Sequence, residues 1–142
     1  MIRKLEDKDI DRVMIIWKYS TIKAHNFIDE KYWENSYDIV KNVYIPASET
    51  FIYEEDKEIK GFISILNKEF IGALFIDINT QGRGIGSKLI DYAIKNYKKL
   101  NLAVYKDNKK SVEFYLNKGF DIITQQVNED FGFKEYIMEI KI

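Results

Sequence analysis

Three glycines within five residues mark the part of the chain that is best suited to chemistry. They lie at positions 82, 84 and 86, after an apolar run at 71–76 and before apolar residues at helical spacing. The sequence therefore predicts a strand, a glycine-rich turn and a helix in succession. Glycine allows a ligand to approach the backbone and tolerates positive φ, and the first N–H groups of a helix attract anions. We predict that this turn binds phosphate at a helix N-terminus.

Three known phosphate-binding turns can be compared with this stretch. A P-loop needs Gly, four residues and then Gly-Lys-Ser/Thr, and the chain contains no such string. The dinucleotide fingerprint is matched in part by Gly82, Gly84 and Ser87, with Asp107 near the position of its acidic residue. That turn lies past mid-chain, however, which leaves too little sequence for a doubly wound nucleotide domain. The third pattern, Gln/Arg-x-x-Gly-x-Gly/Ala, is matched by residues 81–86.

A second motif follows at residues 108–120, where Asn108 precedes the pair Phe114-Tyr115 and then Gly119-Phe120. The two motifs together span residues 71–120, and in this order they resemble the GNAT superfamily of N-acetyltransferases. The resemblance implies an α/β (α+β) fold with a central, mixed, mostly antiparallel twisted sheet. It also implies one parallel, splayed strand pair, flanking helices and a single domain over residues 1–142.

The resemblance further implies acetyl-CoA as the co-substrate, with no metal. The cofactor-binding residues that it implies lie on the strand, the turn and the start of the last helix: Leu74, Phe75, Ile76, Gln81, Gly82, Arg83, Gly84, Ile85, Gly86, Ser87 and Asn108. Arg83 is alternatively a solvated loop cation, and Asn108 is alternatively a plain helix N-cap. Lys88 is a further candidate for a charge partner of the pyrophosphate.

Tyr115 is the catalytic residue that the resemblance implies. Amine attack on a thioester forms a tetrahedral oxyanion and then expels a thiolate. Because a thiol has a pKa of about 8.5 and a phenol one of about 10, complete proton transfer from the phenol costs roughly 2 kcal/mol. We therefore expect Tyr115 to share a hydrogen bond with the departing sulfur or to transfer its proton late. Without the resemblance, an aromatic residue at this position would be interpreted as part of the core.

The general base is not identified by any motif, and Asp77, Glu69 and His25 all remain candidates. In the family, the loop that holds His25 and Phe27 lines the acceptor site, although a lone His beside Phe is otherwise usually structural. We predict that the acceptor is a primary amine on a protein or peptide, either a lysine side chain or an N-terminus. A small-molecule amine and a non-catalytic acyl-CoA sensor remain the alternatives.

Two segments, residues 21–33 and 128–133, are predicted to form the wall of the site that binds the acceptor amine. The mostly aromatic lining, suited to the apolar stem of lysine, is His25, Phe27, Tyr32, Trp33 and Phe131. The acidic residues at the rim are Asp29, Glu30, Glu129 and Asp130.

Composition excludes several other classes of protein. The absence of Cys excludes a disulfide framework and thiol catalysis, and a single His cannot build a His-rich zinc site. A net charge of −1 argues against nucleic acid as the main partner. No leader-like segment opens the chain and no apolar run approaches roughly 18 residues. We therefore expect a cytoplasmic enzyme, monomeric or homodimeric, with no membrane partner.

The elements that position the two motifs follow from periodicity and capping. Asp7 is predicted to cap a first helix and Asp29 a second, which Pro46 ends. Gly119 is predicted to close the last helix in a left-handed conformation. The predicted strands and the central helix are, in chain order, a strand at 2–5, strands at 50–53, 59–66 and 70–77, a helix at 84–97, a strand at 101–105, and a hairpin of strands at 121–127 and 133–140.

Overall fold

The computed structural model describes residues 1–129 and 131–142. Within these residues, seven strands form one sheet in the order β1-β2-β3-β4-β5-β7-β6. Every neighbouring pair is antiparallel except β4 and β5, which are parallel. The prediction of a mostly antiparallel sheet with one parallel pair is confirmed. The strands are β1 (Ile2–Lys4), β2 (Glu49–Glu55), β3 (Glu58–Leu66), β4 (Phe70–Ile76), β5 (Lys99–Tyr105), β6 (Asp121–Val127) and β7 (Lys134–Lys141).

The helices occupy the long connection between β1 and β2 and the two connections on either side of β5. They are α1 (Ile10–Ala24), α2 (Glu30–Ile39), α3 (Ile45–Ala47), α4 (Ile85–Asn96) and α5 (Lys109–Asn117). A π-helical turn, Val40–Tyr44, joins α2 to α3. No helix within the described residues is both long and apolar enough to cross a membrane.

Two hydrophobic clusters lie on opposite faces of the sheet, because successive side chains of a strand point in opposite directions. On one face, Phe62 and Ile52 pack with α1 residues such as Met14. On the other face, Ile63 packs with residues of α4 and α5, including Leu89. The larger of these clusters also holds Phe51, Ile65, Leu100, Leu102, Tyr115, Phe120 and Met138. The sheet is therefore covered on both sides, with α1 and α4 on opposite faces.

Several helix ends match the capping residues predicted from the sequence. The Asp29 carboxylate accepts a hydrogen bond from the Lys31 N–H at 2.9 Å at the start of α2. Gly119 has φ +99° and closes α5, as predicted. At the first helix, the predicted role of Asp7 is wrong, because a 3-10 turn at Asp7–Asp9 precedes α1. The buried Asp9 accepts the Glu6 N–H at 2.9 Å instead.

Pro46 does not end the second helix where it was expected to. The helical backbone continues from α2 through the π-helical turn into α3, and Pro46 lies inside that last turn. Proline is compatible with this backbone because its fixed φ of about −65° is helical, although it cannot donate the backbone hydrogen bond that another residue would. The chain leaves the helix at Ser48, whose φ and ψ are extended.

Candidate active site

The parallel strands β4 and β5 separate soon after they meet. Within the described residues, their register contains one Cα pair, Phe70 with Asn101, near the amino end of each strand. Gly72 has no partner in the β3–β4 ladder, because Ile71 pairs with Ile65 and Ala73 pairs with Ser64. An extra residue of this kind bends a strand and increases its twist. The gap between β4 and β5 therefore opens toward their carboxyl ends, where the glycine-rich turn begins.

A cleft of about 750 Å³ occupies this opening. Its volume lies in the range of roughly 300–1,000 Å³ that is typical of small-molecule sites. Its walls come from β4, the glycine-rich turn, the first turn of α4, β5 and one side of α5. The cleft brings together most of the residues predicted for the site: His25, Leu74, Phe75, Ile76, Gln81, Gly82, Gly84, Ile85, Gly86, Ser87, Asn108 and Tyr115. Arg83 and Phe27 do not line it.

The glycine-rich turn presents backbone rather than side chains to the cleft. Gly82 and Gly84 have φ +84° and +80°, and a Cβ placed at either position would meet no atom within 4 Å. Gly84 is the N-cap of α4, so the N–H groups of the next residues have no carbonyl of their own helix to bind. Such N–H groups at the positive end of the helix dipole suit a pyrophosphate. The open space above the turn is therefore chemically suited to a phosphate group.

Cations beside the turn are not arranged as the sequence suggested. Arg83 forms an exposed ion pair with Glu55, at 2.7 Å between Nη2 and Oε1. Lys88 lies over the Tyr53 ring, 5.5 Å from its centroid. Lys118, which was not among the predicted site residues, lines the cleft, where its ammonium donates to the Ser87 hydroxyl and forms an ion pair with Asp91. Lys118 is therefore a cation that lines the cleft beside Ser87, in the first turn of α4.

The edge of β4 that faces the gap holds the strand residues predicted to bind acetyl-CoA. Leu74, Phe75 and Ile76 line the cleft there. The Ile76 carbonyl already accepts hydrogen bonds from the Ser20 hydroxyl at 2.7 Å and from the Gln81 side-chain amide at 3.2 Å. Both lone pairs of that oxygen are thus used, so Gln81 ties the turn to the end of β4.

Asn108 starts α5 and also lines the cleft. Its side-chain oxygen accepts a long hydrogen bond, 3.4 Å, from the Ser111 N–H. The predicted cap and the predicted position in the cleft are therefore compatible, because the amide nitrogen of the side chain remains a donor.

Tyr115 lies in the wall of the cleft with its ring in the core. The residue is 9% exposed, and its ring packs against Phe114 and Phe120, with centroids 5.2 and 5.4 Å away. Burial raises the pKa of the Tyr115 phenol, since removal from water disfavours the phenolate. The phenol therefore keeps its proton at neutral pH and is able to donate a hydrogen bond.

Aromatic side chains form the wall of the cleft at the end of α1. His25 lies between Trp33 and Tyr105, with ring centroids 5.2 and 5.4 Å away. Phe27 supports this group from behind and contacts Tyr105 and Phe133 at 5.5 and 5.2 Å. At the outer side of the group, Tyr32 lies 4.3 Å from Phe131. Of the predicted acidic rim, Asp29, Glu30 and Glu129 are exposed, and Asp130 lies outside the described residues.

The His25 ring is neutral in this environment. Its Nδ1 lies 2.9 Å from the Thr21 carbonyl oxygen, and since a carbonyl can only accept, Nδ1 carries the proton. Burial lowers the pKa of His25, with the Thr21 carbonyl opposing that effect in part. Nε2 is then the acceptor of the ring.

Because its pKa is lowered by folding, His25 should make the protein sensitive to acid. An unfolded His takes up a proton near pH 6.5, whereas the folded ring does so only at lower pH. Stability is therefore expected to fall as pH drops below about 6.5. We expect His25→Gln to lose less thermal stability than the parent between about pH 7 and pH 5.5. Equal losses in the two proteins, measured by thermal melting, would contradict this prediction.

The acidic candidates for the general base lie away from the cleft wall. Asp77 forms an ion pair with Arg12. Burial alone would raise the pKa of Asp77, but the Asn79 N–H and Arg12 outweigh it and lower the pKa, which makes the carboxylate a poorer base. Glu69 lies at the paired end of β4, where its carbonyl accepts the Asn101 N–H at 2.8 Å.

A carboxylate that was not among the predicted general bases does line the cleft. Glu135, on β7, is 9% exposed and stands opposite Tyr105 in the β5–β7 ladder. The alternation of β7, in which Tyr136, Met138 and Ile140 pack into the core with α4 and α5, puts Glu135 on the face toward α1. A charged residue at an inward position of a strand was the signal available in the sequence.

The fold and the cleft define the class of the protein. A family model described as an acetyltransferase (GNAT) domain matches residues 18–142. The chain belongs to the GNAT acetyltransferase family, and it is an acetyl-CoA-dependent acyltransferase.

Two relatives show how far the similarity in sequence extends. The chain is 32% identical over 123 residues to the peptidyl-lysine N-acetyltransferase YiaC of Escherichia coli (strain K12), which covers 87% of this chain and 84% of the relative. It is 26% identical over 131 residues to the peptidyl-lysine N-acetyltransferase YjaB of Salmonella typhimurium, covering 92% and 90%.

Two solved structures share the fold. The solution structure of apo-form YjaB from Escherichia coli superimposes with a TM-score of 0.83 at 24% identity, covering 98% of this chain and 95% of that one. The PaiA N-acetyltransferase of Thermoplasma acidophilum, solved in complex with coenzyme A, gives 0.81 at 20% identity, covering 100% and 98%. At these identities the two structures support the fold.

Proposed function

We propose that this enzyme transfers the acetyl group of acetyl-CoA to the side-chain amine of a lysine in a protein or peptide. The observation that carries the proposal is the aromatic wall of the cleft around His25, Trp33 and Tyr105. Flat apolar surfaces of this kind suit the four-carbon stem of lysine, while the ammonium continues toward polar groups. The names of the two relatives, both peptidyl-lysine N-acetyltransferases, point to the same acceptor.

In this proposal, the residues that bind the acceptor and the residue that assists the leaving sulfur lie on opposite faces of the sheet. The aromatic wall belongs to the face that carries α1, because Tyr105 contacts His25 from that face. Tyr115 belongs to the cluster on the opposite face, with α4 and α5. An acceptor amine approaching from the α1 side and a thioester held in the gap would therefore meet between β4 and β5.

The reaction proposed for this arrangement is direct amine attack. The lysine nitrogen forms a bond to the thioester carbonyl carbon, and the C–S bond breaks as the tetrahedral intermediate collapses. Tyr115, which keeps its proton because burial raises its pKa, donates a hydrogen bond to the sulfur as negative charge develops there. The glycine-rich turn and the β4 edge hold the remainder of acetyl-CoA in place, which orients the thioester.

The test is a paired comparison of acceptors with the same enzyme preparation. We expect kcat/KM for lysine-containing peptides to exceed that for free small amines, including polyamines and aminoglycosides, because only a peptide contacts the rim outside the aromatic wall. Peptides with a blocked N-terminus and an internal lysine separate side-chain from N-terminal acetylation. A preference of about 100-fold for a small amine, worth roughly 2.7 kcal/mol of transition-state binding, would overturn the proposal.

A further inference from the structure

Glu135 is a nearly buried carboxylate whose partners do not neutralise it. Its Oε1 accepts the Gln126 side-chain amide at 2.7 Å, and this is the one hydrogen bond to the carboxylate within residues 1–129 and 131–142. No ion pair to Glu135 is found within the same residues. Buried carboxylates are usually paired with a cation or bind one, because the charged form is costly to remove from water. The neutral Gln126 fixes the orientation of the carboxylate and leaves its charge for another group.

The place of Glu135 in the cleft indicates which cation that is. Glu135 faces the α1 side of the sheet beside Tyr105, whose ring contacts His25 in the aromatic wall. Tyr115 reaches the cleft from the other face. A lysine stem lying along the aromatic wall would thus bring its ammonium to the carboxylate side of the cleft, with the phenol on the side of the leaving sulfur.

We propose that Glu135 binds the ammonium of the acceptor and removes its proton before attack on the thioester. The inference rests on the proposed amine acetylation. One N–H proton passes to the Glu135 carboxylate, and the free electron pair of nitrogen then forms the C–N bond. When the C–S bond breaks, the nitrogen releases its second proton to water, and the thiolate, hydrogen-bonded to Tyr115, takes up one proton from water in exchange. Coenzyme A and the amide are released, and the Glu135 proton passes to solvent.

Within the described residues, the other titratable groups that line the cleft are His25 from the end of α1, Tyr105 from β5, Tyr115 from α5 and Lys118 from the end of α5. Burial lowers the pKa of His25, so its neutral ring is a weaker attractor of an ammonium than a carboxylate is. His25 nevertheless keeps Nε2 as an acceptor, which makes it the rival for the same proton. The two residues can be separated by experiment.

The experiment measures kcat/KM against pH for the parent, Glu135→Gln and His25→Gln, each saturated with acetyl-CoA. We expect Glu135→Gln to lose on the order of 10²-fold at about pH 7, the usual scale for a lost general base. Its kcat/KM should then recover about tenfold per pH unit up to roughly pH 9, because solution supplies the free amine below the lysine pKa of about 10.4. The parent profile should be flatter over the same range. A merely structural role would lower the rate without steepening the profile.

Glu139→Gln is the matched control, since Glu139 lies on the same strand and face but outside the cleft wall. Acetyl-CoA affinity, measured by calorimetric titration, should be unchanged in all three variants. If Glu135→Gln loses acetyl-CoA binding, Glu135→Asp is measured in its place. The Asp side chain keeps the negative charge but is shorter by one methylene, so its carboxylate lies farther from the acceptor. That variant should retain part of the activity and an intermediate slope.

Equal profiles for Glu135→Gln and the parent, or the steep profile in His25→Gln instead, would overturn the inference. The series is run with whichever amine the parent acetylates. Failure of the parent on lysine peptides would therefore count against the proposed acceptor, whereas a flat Glu135→Gln profile counts against the role of Glu135.

Discussion

Gly84→Asp is expected to weaken acetyl-CoA binding by about 100-fold or more while leaving a folded protein. The new side chain would enter the open space above the turn, because a Cβ at Gly84 would meet no atom within 4 Å. An anion at the N-terminus of α4 would repel the pyrophosphate and compete with it for the same N–H groups. A 100-fold loss corresponds to about 2.7 kcal/mol. Calorimetric titration of the parent and the variant with acetyl-CoA measures this loss of affinity.

Two further substitutions at the same position separate charge from shape. Gly84→Asn has nearly the volume of Asp without the charge, and both side chains tolerate the φ of +80° better than other residues do. Gly84→Ala adds the Cβ alone at that strained φ, which costs about 1 kcal/mol of stability. We expect the loss of affinity to be largest for Asp, smaller for Asn and smallest for Ala. Tight binding by Gly84→Asp would show that the turn does not hold the phosphates.

The fold could be predicted from the sequence wherever local patterns determine the backbone. The glycine-rich turn, the Asp29 cap and the left-handed Gly119 each depend on residues close in sequence, and each was found. The bend at Gly72 and the π-helical turn before Pro46 were not predicted. Both depend on how a segment packs on its neighbours, since a bulge needs a partner strand and a π-turn needs a surface that fixes its ends.

The parts of the site that depend on local sequence motifs were likewise predicted, and the parts that depend on contacts between distant residues were not. Backbone groups of the turn and of β4 were identified from a motif, and they line the cleft. The ion pairs around them were not, because Arg83 meets Glu55 at the end of β2, and Lys118 meets Ser87 from another helix. Glu135 was missed because Glu139 lies on the same face of β7, and the alternation alone does not show which of the two carboxylates lines the cleft. Such contacts join residues far apart in the chain.

Tyr115→Phe is expected to lower kcat by on the order of 10²-fold or more while acetyl-CoA affinity stays the same. Only the hydroxyl is removed, so the ring keeps its contacts with Phe114 and Phe120 and the core stays filled. The loss should fall on kcat because the hydrogen bond to sulfur strengthens only as the C–S bond breaks. Steady-state kinetics at saturating acetyl-CoA, with calorimetric titration of the same variant, measure the two quantities separately.

Tyr97→Phe provides the matched control, since Tyr97 lies at the C-terminal end of α4 and does not line the cleft. Its hydroxyl donates to Glu49 at 3.0 Å, so the variant should lose about 1 kcal/mol of stability without any change in kcat. Tyr115→Phe has the opposite expectation, because no hydrogen bond to its hydroxyl is found within the described residues and its loss leaves no buried group unsatisfied. Stability should thus fall in Tyr97→Phe, and turnover should fall in Tyr115→Phe. If kcat is unchanged in Tyr115→Phe, the ring serves the core alone and water supplies the proton to the thiolate.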